Sequence, residues 1–231
     1  DIDNVYETIH KTLRQLGLES LSAPKNHLTK GHLAPNGDFF YKFQRDATFF
    51  YPNTAPQLET FNNGNWARLE NQIADITKSK AIEDATVLTG TLNVLILKGK
   101  NGATEVYLAP DPDPNKSKIP VPKYFWKFVF YPTNKVGLVF FGVNNDKPVD
   151  ETDRSFTDNI CKKDIFARIK KSWWLRKINN EDPLSGIIYA CSVADIKDPV
   201  IHKIVTNVLT EFRVEADDVS TVFQKREEIF S

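Results

Sequence analysis

Apolar and polar positions along this 231-residue chain follow two different periods, and the period changes at a few well-marked places. Val5, Ile9, Leu13 and Leu16 recur at helical spacing and stop at Gly17, which predicts a helix over residues 5–18. Residues 39–43 and 47–51 are aromatic-rich and read as two strands, closed by the turn-forming Pro52-Asn53. The helical period returns with Trp66, Leu69, Ile73 and Ile76, so the expected local order is strand, strand, helix. Residues 87–97, 104–109, 124–131 and 136–143 are dense in β-branched and aromatic side chains. Turn chemistry such as Lys100-Asn101-Gly102 separates them, and together they predict a mostly antiparallel central sheet. Residues 158–175 and 200–213 read as amphipathic helices flanking a short strand at 187–191, and residues 215–230 as a terminal helix. The Pro-rich stretch 111–117 reads as an exposed loop, and Asn115-Lys116-Ser117 within it is a glycosylation sequon. The pattern predicts an α+β fold, with helices flanking a mostly antiparallel sheet. One domain over residues 1–231 accommodates it, since no repeat, low-complexity tract or linker divides the chain.

Three polar segments interrupt the early part of this pattern: Lys30-Gly31-His32-Leu33-Ala34-Pro35, then Asn53-Thr54-Ala55-Pro56-Gln57, then residues 62–70 with Asn62, Gly64, Trp66, Leu69 and Glu70. A histidine in a Gly-His turn can act as a general base, and an amide oxygen and a carboxylate can hold a hard cation directly or through its waters. Asn62 and Glu70 are eight residues apart, which on a regular helix, at about 100° per residue, places them within roughly 80° of one another. The pair would then share one edge of the helix whose apolar stripe packs on the core. Trp66 belongs to that stripe and reads as core rather than as a platform for bases.

The order and spacing of these segments resemble the DNA/RNA non-specific endonucleases. That family has a ββα-metal (His-Me finger) core and the signature Asp-Arg-Gly-His, Asn-x-x-Pro-Gln and Asn-x-Gly-x-Trp-x-x-Leu-Glu. The match covers residues 28–70, a signature core of 28–80 is expected, and 124–130 is similar to a later family strand. Within the family the chain is similar to secreted arthropod nucleases, including enzymes that degrade double-stranded RNA and carry a Lys-Gly-His-Leu motif. The resemblance implies a metal-dependent, sugar-non-specific endonuclease that hydrolyses phosphodiester bonds in single- or double-stranded DNA and RNA. It implies His32 as general base, Asn62 as the protein ligand of one Mg²⁺ (or Mn²⁺ or another divalent cation), and Glu70 as the group that orients water around the ion. Lys30 would steady the phosphate. Asn53 and Gln57 match positions near the site, where a substrate contact and ordinary turn chemistry are equally open. Thr29 and Lys30 stand where many members have Asp and Arg, which motivates a second reading: a homologue that binds nucleic acid or another partner with weak or no turnover. The family's upstream arginine has no match, since Arg14 is the only arginine before residue 30 and lies in no matching motif.

Composition narrows the picture further. Thirty basic and thirty acidic residues give a net charge of zero, which argues against nucleic-acid attraction by bulk charge alone, so any nucleic-acid groove must be local. Lys162, Lys163, Arg168, Lys170, Lys171, Arg176 and Lys177 concentrate positive charge and suit either a phosphate-binding face or a solvated helix surface. Cys161 and Cys191 are the only cysteines and, in a chain suspected of secretion, read as one disulfide, with two buried thiols as the alternative. No run approaches the eighteen or so apolar residues of a membrane span, and Asp1-Ile2-Asp3 does not start a signal peptide, so if the protein is secreted, as the resemblance implies, this is a processed chain. Of four histidines, His10, His27 and His202 read as surface or core residues, and His32 alone sits in a chemical motif.

Overall fold

The computed structural model describes residues 27–78, 84–99, 102–109, 116–144, 156–171, 175–182 and 185–221. The helix expected over 5–18, Arg14, His10 and Asn115 of the sequon lie outside the described residues.

A four-stranded antiparallel sheet forms the centre, in the order β10 (Ile188–Cys191), β9 (Val136–Val143), β8 (Pro122–Tyr131), β3 (Thr86–Val94). Strict alternation along β8 sends Tyr124, Trp126, Phe128 and Phe130 into one core cluster and Phe125, Val129 and Tyr131 into the other. β9 divides in the same way, with Leu138 and Phe140 on one face and Val139, Phe141 and Val143 on the other. Both central strands are therefore covered on both faces, which is why they read as near-continuous apolar runs. Two small hairpins extend the fold: β4 (Ile96–Gly99) with β5 (Gly102–Glu105), and β6 (Tyr107–Ala109) with β7 (Lys118–Pro120).

One face of the sheet carries the site. β1 (Leu28–His32) pairs antiparallel with β2 (Thr54–Leu58), with α1 (Lys42–Ala47) in the connection between them. The chain then passes through a widened helical turn at Asn62–Trp66 into α2 (Ala67–Lys78). Leu69, Ile73 and Ile76 of α2 and Trp66 before it are buried against the sheet. Asn144, fully buried at the end of β9, fastens this unit to the sheet: its Oδ1 accepts from Leu58 N at 2.8 Å, and its Nδ2 donates to Pro56 O and Pro122 O at 3.2 and 2.9 Å. A short helix α3 (Phe166–Ile169) precedes β10. On the opposite face lies α4 (Pro199–Glu211), with Ile201, Val205 and Leu209 buried. Asp198 caps it by accepting from Val200 N and Ile201 N at 3.1 and 2.9 Å, with Pro199 in the first helical turn.

Three expectations from the hydrophobic pattern change. The strands of the expected strand, strand, helix unit are the motif segments 28–32 and 54–58, whereas the aromatic runs 39–43 and 47–51 form α1, its flanking turns and a short 3-10 turn at Tyr51–Asn53. Aromatic strand propensity reflects packing on a half-buried pleated surface, and most of these rings have no such surface to pack on. Residues 158–175 are not one helix. A helical turn at 156–159 ends where Cys161 bridges Ile196 and bonds Cys191, and Lys162 N donates to Asp195 O, so the backbone there is satisfied by a distant segment. Of the helix expected over 215–230, residues 222–230 lie outside the described residues, and within 215–221 the chain forms a 3-10 turn, Ala216–Asp218, and then bridges Val136 through Ser220. Among the described residues no helix is long and apolar enough to cross a membrane.

Candidate active site

β1 presents two faces. Thr29 and Gly31 point one way, and Lys30 and His32 the other, as alternation requires. The His32 ring is half-buried and meets Phe49 edge-on, with centroids 4.6 Å apart. Its Nε2 is buried with no hydrogen-bond partner among the described residues. Burial, and next the positive charge of Lys30, hold the imidazole below its usual pKa. Lys30 is exposed, and its Nζ lies 5.0 Å from the centre of the Tyr51 ring.

Two routes tie the helical segment to the two ends of this motif. In the first, Asn62 Nδ2 donates to Thr29 Oγ1 at 3.1 Å, while Thr29 Oγ1 donates to Gln57 O at 3.0 Å. A hydroxyl has one proton, so with that proton on the Gln57 carbonyl it can only accept from Asn62. The Asn62 amide therefore presents its NH₂ to Thr29 and turns its Oδ1 away. In the second, Glu70 Oε1 lies 3.2 Å from Lys127 Nζ, which donates to Leu33 O at 3.2 Å and to Thr89 Oγ1 at 2.9 Å. Lys127 is buried on the same row of β8 as Phe125 and Val129, with its Nζ 5.2 Å from the centre of the Trp66 ring. Burial raises the Glu70 carboxyl and lowers the Lys127 ammonium, in each case against the attraction of the partner. The carboxylate of Asp38, in the turn after β1, adds a further charge that acts on both.

Trp66 is fully buried, as expected of a core residue. The turn that carries Asn62 departs from the regular helix assumed for the Asn62 and Glu70 pair. Gly64 has φ −92° and ψ −123°, and α2 begins only at Ala67. A Cβ on Gly64 would come within 2.5 Å of Ser185 O and 2.8 Å of its Cα, so this close approach demands glycine. Asn65 ties this turn to a distant segment: its Nδ2 donates to Asn179 O and Gly186 O at 2.7 and 2.6 Å, and its Oδ1 accepts from Asn179 N and Arg68 Nη1, both at 2.9 Å.

Asn53 and Gln57 sit under the motif. Asn53 Oδ1 accepts from Ala34 N, and its Nδ2 donates to Ala34 O and Thr48 O, all at 2.9 to 3.0 Å. Gln57 is fully buried opposite Thr29, packed so closely on Gly31 that a Cβ there would collide with it. His27 lies with its Nδ1 3.3 Å from Glu59 Oε2, and His202 is exposed on α4. Lys127 and Asp38 were not singled out from the sequence. The signal for Lys127 was available: a lysine alone in the apolar run 124–131, at a position that alternation assigns to the face of α2.

Two short antiparallel strands carrying Gly31-His32, followed by a helical segment carrying Asn62 and Glu70, make the ββα arrangement of the ββα-metal nucleases. The chain belongs to the DNA/RNA non-specific endonuclease family, which it matches over residues 3–196. It is 40% identical over 148 residues to a salivary endonuclease of Lutzomyia longipalpis, covering 63% of this chain and 34% of that protein. Over 204 residues it is 27% identical to salivary protein Tsal1 of Glossina morsitans morsitans, covering 87% and 48% respectively. Over 106 residues it is 33% identical to the mitochondrial nuclease EXOG of Xenopus laevis, covering 44% and 27%. The chain thus spans less than half the length of each of these relatives.

Proposed function

We propose that this protein is a secreted, metal-dependent endonuclease that hydrolyses phosphodiester bonds in DNA and RNA without regard to the sugar. The observation that carries this reading is the state of His32: a buried, unengaged Nε2 on an imidazole held neutral by burial and by Lys30. A neutral nitrogen without a competing partner is what a general base requires. Nε2 takes a proton from the attacking water as the new oxygen–phosphorus bond forms and the bond to the leaving 3′ oxygen breaks. Lys30, on the same strand face, supplies positive charge to the phosphate.

Among the described residues no group of three or more His, Cys, Asp or Glu side chains forms a metal cage. The donor set instead fits a hard cation held by few protein oxygens and mostly by water, as Mg²⁺ prefers. Asn62 Oδ1, turned away from Thr29, would hold it, and Glu70, fixed by Lys127, would orient water beside it. When bound, the cation supplies charge stabilisation to the phosphate and the leaving oxygen. Asn53 and Gln57 serve this site by holding the loop and strand that carry His32. Secretion accords with the Cys161–Cys191 disulfide.

The test is cleavage of supercoiled plasmid and of RNA by the purified chain with Mg²⁺, with and without excess EDTA. Cleavage of both that stops in EDTA is expected. Cleavage undiminished by chelator would refute the metal reading. Tight binding of both nucleic acids with no turnover at any divalent cation would establish the non-catalytic alternative.

A further inference from the structure

Six large aromatic side chains crowd the connection between β1 and β2, and they point outward. Phe40 is 86% exposed, Tyr51 77%, Phe43 70%, Phe50 69%, Tyr41 57% and Phe49 49%. A soluble domain rarely gathers so much apolar surface in thirteen successive positions without a use for it (residues 39–51). The segment is nevertheless held in shape, because polar contacts rather than core packing fix it. Asn36 Nδ2 donates to Arg45 O at 3.1 Å, Tyr41 N donates to Gln44 Oε1 at 3.3 Å at the start of α1, and Thr48 Oγ1 donates to Arg45 O at 2.7 Å. α1 itself buries no residue. The rings are ordered on one another: Phe40 meets Tyr41 edge-on at 5.3 Å, and Tyr41 lies nearly parallel to Phe43 at 5.7 Å.

The C-terminal end of the segment adjoins the site. Phe49 touches the His32 ring, and Tyr51 lies beneath the Lys30 ammonium. Lys42 and Arg45 against Asp46 leave the stretch with one net positive charge. Exposed rings beside a cation, next to a group that faces phosphate, match the two halves of a nucleotide: a flat base and an anionic backbone. We propose that Phe40, Tyr41, Phe43, Phe50 and Tyr51 form a base-stacking platform that holds unpaired nucleotides of the substrate beside His32. This proposal rests on the endonuclease reading and narrows it, since rings that stack on bases favour strands whose bases are not already stacked in a duplex.

The experiment measures binding by the full chain carrying His32→Ala, in EDTA, so that no turnover occurs. Fluorescence anisotropy compares a labelled single-stranded oligonucleotide, an abasic strand of equal length and a duplex. The platform predicts binding of the base-bearing strand at least ~10-fold tighter than of the abasic strand, the scale of losing stacking on one or two bases. Adding Phe40→Ser with Phe43→Ser should remove most of that difference and leave abasic binding unchanged, and Phe50→Ser should do so in part. These side chains are exposed, so an unchanged circular dichroism spectrum and melting temperature are expected. Equal affinity for base-bearing and abasic strands would overturn the proposal. So would sedimentation with phosphatidylcholine vesicles that the double variant loses, which would assign the surface to lipid, or a dimer that the double variant dissolves. Cleavage assayed separately keeps the two readings apart: base-dependent binding without cleavage sinks the catalytic reading alone, and cleavage without base-dependent binding sinks the platform alone.

Discussion

Thr29 occupies a place where many members of the family carry aspartate, and its hydroxyl accepts from the Asn62 amide. Because its proton goes to Gln57 O, it sets which end of the Asn62 amide faces the site. Thr29→Val keeps the β-branched shape and removes that acceptor. Activity should fall ~10-fold or more, with a matching rise in the Mg²⁺ concentration needed for half-maximal rate, the usual scale for losing a partner behind a ligand. Thr29→Ser should restore both. One hydrogen bond contributes only about 1 kcal/mol, so a large fall in melting temperature in Thr29→Val would point to a structural role instead. The His32 imidazole carries a second expectation at this scale. Its pKa is lowered, so the neutral, proton-accepting form persists below the ordinary value of about 6.5, and kcat/KM should hold through neutral pH and decline only on the acid side of that value. Lys30→Ala removes one of the two causes, so the acid limb should move upward in pH whatever happens to the absolute rate. An acid limb that moved downward would contradict the assigned cause. His32→Ala should lower the rate at least ~10²-fold.

At the scale of elements, β8 does two tasks with one alternation. Its odd positions face α2, and among Phe125, Val129 and Tyr131 the chain places Lys127, whose ammonium reaches Glu70, Leu33 O and Thr89. Lys127→Met would leave the largely buried Glu70, whose side chain is 17% exposed, without its ion-pair partner, and unfolding in urea should show a loss of about 3 to 5 kcal/mol. Combining it with Glu70→Gln should recover part of the loss, because no lone charge then remains buried. A loss below about 1 kcal/mol for Lys127→Met would show that the pair does not hold the element. The strands of the central sheet were legible because dense runs of β-branched and aromatic residues are bounded by turn chemistry, and α4 because its apolar stripe recurs at helical spacing. The unit 28–70 was legible as chemistry but not as geometry. Its motif segments carry too few apolar residues to announce strands, while the exposed aromatic runs announce strands that do not form. Likewise, equal helical rotation per residue could not foresee a turn widened at Gly64 by the close approach of Ser185.

The whole molecule is divided by its sheet into a face that carries the site and a face closed by α4, and the disulfide belongs to the second. Cys161 and Cys191 lie in the core cluster with Ile201, Val205 and Leu209, 30 residues apart in sequence. The pairing was legible from a single pair of cysteines taken together with the suspected secretion, and the structure forms it in place of two buried thiols. The broken helix around Cys161 was not, because the bridge to Ile196 and the bond to Cys191 are contacts between distant segments. Closing a loop of this length should stabilise the fold by on the order of 3 to 4 kcal/mol in the chain-entropy model. Reduction should therefore lower the melting temperature markedly, and peptide mass spectrometry of the unreduced protein should find the two cysteines cross-linked. The site lies across the sheet and residues 28–70 contain no cysteine, so below the new melting temperature the reduced protein should still cleave plasmid at a comparable rate. Loss of cleavage in reduced protein that remains folded would mean that the two faces are coupled through the sheet. Two alkylatable thiols in native protein isolated without reductant would refute the pairing and, with it, the argument for an oxidising, extracellular setting.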